Sequence, residues 1–110
     1  MPLASHDLAA MLRALDGHAV ASRSLTLPGF EMELLRIPAG QRHEHMAAAA
    51  LTLLVLAGVG SVALDDWRTT LSGGHLLAVP GNARLTVTAD GGVALELLLT
   101  RPATPDAPGE

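Results

Sequence analysis

The sequence predicts an all-β domain, a closed barrel or sandwich preceded by one short helix. Three observations predict it. Short apolar stretches of strand length follow one another at regular spacing, Gly, Pro and Asp turn signals separate them, and helical spacing is confined to the start of the chain.

Taken in order, residues 6 to 16 read as the helix. Leu8, Met11, Leu12 and Leu15 recur at helical spacing, Ser5 is placed to cap the N-terminus with Asp7 in the first turn, and Gly17 ends it. A lone amphipathic helix before a β domain packs on the outside of a sheet or reaches to a partner subunit. Val20 to Leu27 alternates as a strand and stops at Pro28-Gly29; Phe30 to Ile37 is the next strand and ends at Pro38-Ala39-Gly40. A short polar strand spans Arg42 to His45. Leu51 to Leu56 and Ser61 to Leu64 lie on either side of a Gly58-Val59-Gly60 turn. Asp65-Asp66 turns into Trp67 to Leu71, and Ser72-Gly73-Gly74 turns into His75 to Val79, which runs into Pro80-Gly81-Asn82. Arg84 to Thr88 and Val93 to Thr100 flank Asp90-Gly91-Gly92, a hairpin signal. The segment after Arg101 carries three prolines and no apolar period, which predicts disorder.

Composition narrows the function. With 110 residues the chain fits one domain, and 49% hydrophobic against 16% charged residues provides for a real core. One Trp, one Phe and no Tyr leave Leu, Val and Ala to build it, so pockets should be aliphatic, with little capacity to stack bases. A net charge of −4 adds to the case against nucleic acid as a partner. The absence of cysteine excludes disulfides, thiolate metal sites and Cys nucleophiles. With no basic start and apolar run at the N-terminus, it leads us to expect a cytoplasmic protein. Met46 to Leu64 is uncharged and approaches the length of a membrane span, but Gly58 and Gly60 near its centre favour two buried strands, so no membrane partner is expected.

Two groups of residues carry chemistry in order along the chain. Gly40 precedes His43-Glu44-His45, and Gly58 follows; Gly74 is then followed by five residues and Pro80-Gly81-Asn82. This order resembles the two motifs of the cupin superfamily, in particular the small single-domain bacterial cupins with an RmlC-like jelly-roll barrel. The resemblance covers residues 20–101, which it implies form the barrel; the helical spacing leaves an N-terminal helical segment over 1–19, and the proline-rich composition a disordered tail over 102–110. The family's metal is held by three His and one Glu. Counting back from Gly58, the Glu position falls on Leu51, and the last His position falls on Leu85, with Arg84 beside it. Two His remain, so the resemblance implies a degenerate metal site.

His43 and His45 lie two apart on a strand, so both rings share one face, whereas Glu44 points away. Two imidazoles can hold a divalent transition metal weakly, yet a stable catalytic site normally has three protein ligands. The other reading makes them polar lining of a barrel mouth, with no cofactor. Met46, Leu51, Leu53, Val55, Leu85 and Val87, or their alternates on the other face, would line the interior. Glu31 and Glu33 would form an outer face or a subunit contact. Met46, Leu51, Arg84 and Leu85 are the candidate ligand-binding residues, for a small apolar ligand, or for a carboxylate if Arg84 faces the barrel. Taken together, the residues favour a non-catalytic small-molecule-binding or structural module, homodimeric through edge strands and the apolar outer sheet face. The alternative is a metal-dependent enzyme of dioxygenase or isomerase type using His43 and His45.

Overall fold

The computed structural model describes residues 5–103. Among these, one helix and nine strands follow in order: α1 (Leu8–Arg13), β1 (Ala21–Leu27), β2 (Phe30–Ile37), β3 (Arg42–Ala47), β4 (Leu51–Ala57), β5 (Val59–Leu64), β6 (Trp67–Ser72), β7 (Leu76–Val79), β8 (Ala83–Ala89) and β9 (Leu95–Pro102). They form two antiparallel sheets, ordered β1-β2-β9-β4-β7 and β3-β8-β5-β6. From β2 onward every connection except β5–β6 passes from one sheet to the other. That is the jelly-roll topology. The tail beyond Ala103 lies outside the described residues, while Pro102 itself closes β9.

The core sits between the sheets. Leu35, Ile37, Leu53, Val55, Leu95, Leu97 and Leu99 from the first sheet meet Val62, Leu71, Leu85, Val87 and Ala89 from the second. The outer face of the first sheet is apolar too, and α1 covers part of it. Leu12 is buried against Leu34 and Leu98, with Leu8, Met11, Leu15, Met32, Leu54 and Leu56 around them. This explains why β9 reads Leu-Leu-Leu: Leu97 and Leu99 face the core while Leu98 lies under the helix.

Three sequence expectations are corrected. The helix is shorter than 6 to 16 and is capped by Asp7, whose side chain accepts the Ala10 N–H at 3.1 Å; Ser5 lies outside it. The Gly58-Val59-Gly60 segment is a single-residue break at Gly58, with Val59 and Gly60 already in β5. Gly58 has φ +95°, and the backbone of Ala94 and Leu95 passes so close that no side chain fits. Finally, Asp90-Gly91-Gly92 is not a hairpin. It joins β8 in one sheet to β9 in the other, with the Val59 carbonyl accepting from the Asp90 and Gly91 N–H groups at 3.0 and 3.2 Å. The true hairpins turn at Pro28-Gly29 and Asp65-Asp66. The uncharged run Met46 to Leu64 resolves into the end of β3 and the whole of β4 and β5, and no helix among the described residues is long and apolar enough to cross a membrane.

Candidate functional site

β3 is an edge strand paired only with β8, and its two faces differ sharply. Arg42, Glu44 and Met46 are exposed, whereas His43 and His45 are half-buried and Ala47 is buried in the core. Both imidazoles therefore point between the sheets, their ring centroids 6.2 Å apart and their planes tilted by 40°. Burial is the largest influence on His45 and lowers its pKa below the usual histidine value. The Glu33 carboxylate opposes that shift, and His43 and Arg101 add to it.

The facing wall comes from β2 and β9, and in β2 the expected faces are reversed. Glu31 and Glu33 do not form an outer face: they share the inward row with Leu35 and Ile37, because Met32 and Leu34 are claimed by the helix on the other side. The inward row of β9 likewise runs Leu95, Leu97, Leu99 and then Arg101. At this end the aliphatic core gives way to charge. Arg101 donates through Nε and Nη2 to one oxygen of Glu31, at 3.2 and 3.1 Å. Glu33 takes part in no ion pair or side-chain hydrogen bond among the described residues.

Between these walls lies a cavity of about 340 Å³ lined by Glu33, His45, Met46, Ala47, Ala48, Ala49, Leu51, Arg101 and Pro102. Its rim is the β3–β4 connection at residues 48–50, which crosses between the sheets. Gly81 lets that connection approach: a Cβ there would stand 3.3 Å from the Ala50 nitrogen. Small alanines at the rim leave the mouth open.

The four sequence-derived ligand candidates separate. Leu51 lines the cavity from below, buried in the core. Met46 is also at the cavity, but it is 58% exposed and not part of the barrel lining expected of it. Leu85 is buried directly opposite His45 in the β3–β8 register, away from the cavity. Arg84 is exposed and pairs opposite Met46, on the outer face, so it does not face the barrel. Sequence reasoning missed Glu33 and Arg101. The only available signal was that each continues the alternation of an inward apolar row.

The residues present do not fit the family's four-ligand metal centre. The two positions that would complete it, Leu51 and Leu85, are aliphatic and buried, and no group of three or more His, Cys, Asp or Glu among the described residues could hold a metal ion.

No protein-family model and no curated protein matches the chain in sequence. Solved structures do match. A cupin superfamily protein from Desulfitobacterium hafniense DCB-2 is 18% identical with a TM-score of 0.72, covering 94% of this chain and 95% of its own. An RmlC-like cupin with a double-stranded β-helix fold from Methanocaldococcus jannaschii is 16% identical with a TM-score of 0.69, covering 79% and 83%. A protein of unknown function from Rhizobium leguminosarum bv. viciae 3841 is 25% identical with a TM-score of 0.75, covering 94% and 100%. The topology of the two sheets and these likenesses agree: this chain has the fold of a small cupin domain.

Proposed function

We propose that this cupin domain is a non-catalytic module that binds a small organic molecule at the mouth between β2, β3 and β9. The observation that carries the reading is the make-up of that mouth. Polar side chains from three strands converge on an open cavity of about 340 Å³ over an aliphatic floor, and no group of three or more His, Cys, Asp or Glu among the described residues could hold a metal ion. Mixed lining of this kind suits an oriented ligand with an apolar body. The lack of cysteine supports a cytoplasmic setting. The test is metal analysis of protein purified without an affinity tag, alongside a thermal-shift screen of small organic ligands. We expect sub-stoichiometric metal and at least one stabilising ligand.

The second reading, a metal-dependent enzyme using His43 and His45, is favoured by the shared face of the two rings. Stoichiometric iron, nickel, manganese or zinc that disappears in a His43→Ala/His45→Ala variant would establish it over the first.

The proposed assembly is a homodimer. Beyond α1, the outer face of the first sheet carries a depression of about 400 Å³ bordered by Phe30, Thr52, Ala78, Thr100 and Pro102. Phe30 is 53% exposed at its edge. A projecting ring beside a hollow on the same face is self-complementary about a two-fold axis, so a second copy is the occupant that this shape fits. Light scattering should give twice the chain mass, falling to one chain mass in Phe30→Glu.

A further inference from the structure

We propose that the mouth selects a small primary ammonium compound with a short aliphatic body, its charge held by the Glu33 carboxylate. The inference rests on the mouth being a binding site and names its ligand class. The titratable groups facing the cavity and its approach are Glu31 and Glu33 from β2, His43 and His45 from β3, and Arg101 from β9. Arg101 and Glu31 neutralise each other through two contacts of 3.2 and 3.1 Å. Among the carboxylates and the guanidinium there, that leaves one formal charge, the Glu33 carboxylate, which has no ion-pair or side-chain hydrogen-bond partner among the described residues. Arg84, the sequence-derived candidate for attracting a carboxylate, lies on the outer face, and the Arg101 guanidinium at the cavity is already paired with Glu31. A primary ammonium brings three N–H donors, which the Glu33 carboxylate can accept. A quaternary ammonium is disfavoured, because no Phe, Tyr or Trp lines the cavity to form a cage. Leu51 and Ala47 supply contact for only a short apolar body.

The test follows the His45 ring resonances of the full chain at pH 7.5 and low salt. The probes are n-butylammonium, tetramethylammonium, butyrate and n-butanol. We expect saturable shifts with n-butylammonium alone, weakened on the order of tenfold by Glu33→Gln and unchanged by Arg84→Gln. Added salt should weaken that binding. Butyrate, n-butanol or tetramethylammonium binding as well as n-butylammonium would overturn the ligand class while leaving the mouth a binding site. So would n-butylammonium binding that ignores both salt and Glu33→Gln. If no probe of any charge produces saturable shifts, the ligand class and the binding reading both fail. A Glu33→Gln variant that does not fold leaves the salt dependence and the probe ranking to decide.

Discussion

Replacing Gly58 with alanine should cost far more stability than the same change at Gly74, although both glycines hold nearly the same backbone angle. Their φ values are +95° and +90°. An L side chain in this region is strained by about 1–2 kcal/mol, and the gain from a stiffer unfolded chain, about 0.4–1 kcal/mol, is common to both sites. These terms cancel between the two variants. Surroundings do not cancel. At Gly74 a Cβ meets nothing within 4 Å, whereas at Gly58 it runs into the Ala94 carbonyl and stands 2.9 Å from the Leu95 Cα. Those are main-chain atoms at the entry to β9, a central strand of its sheet, and they cannot swing aside as a side-chain tip can. Overpacking of this sort costs about 1–3 kcal/mol. The two variants should therefore differ by about 2 kcal/mol, or about 8–16 °C in Tm for a domain of this size. Urea denaturation followed by circular dichroism and Trp67 fluorescence measures the difference directly. Equal losses at the two sites would refute the reasoning, since they would mean that β4 and β5 do not pass against the β8–β9 crossing as described.

Three further outcomes follow from the same geometry. Leu12→Ala removes the buried anchor of α1 on Leu34 and Leu98 and should cost about 2–3 kcal/mol, with amide exchange rising in residues 8–13 while β8 stays protected. His45 should titrate below about 6.5 by NMR, and lower still in Glu33→Gln, because that carboxylate is the one group raising its pKa. Since the unfolded chain then takes up the proton first, the contribution of His45 to stability is present above about pH 6.5, declines as pH falls through that value, and levels off below the folded pKa. A rising contribution on acidification would contradict the burial of the ring. Leu85→His places a third imidazole directly opposite His45. It should raise nickel or zinc affinity by at least about tenfold in calorimetry, and unchanged affinity would show that position 85 is not where the completing ligand belongs.

Much of the strand pattern is legible in the sequence alone. Phe30–Ile37 matches its expected bounds, and the turns at Pro28-Gly29 and Asp65-Asp66 join the pairs that adjoin them in sequence. Such features are local: two-residue alternation and turn chemistry are written into neighbouring residues. Partner choice is not local. The Asp90-Gly91-Gly92 segment has the composition of a hairpin, but β9 finds better burial between β2 and β4, where both of its apolar faces are covered. Face assignment failed at β2 for a related reason. Met32 and Leu34 read as the core side because they are apolar, yet the N-terminal helix, two elements earlier in the chain, covers them, leaving Glu31 and Glu33 to look inward at the open end.

By itself, then, the sequence determined an all-β chain with one amphipathic helix, the motif order of a cupin and two histidines sharing one face of a strand. Only the tertiary structure decided which sheet each strand joined and that Arg84 and Met46 lie outward. It also brought the Glu31–Arg101 pair and a lone Glu33 to the same mouth as His45. The physical reason is that a strand apolar on both faces carries no local mark of which face is inside. What settles it is the element that arrives from elsewhere to cover the other one.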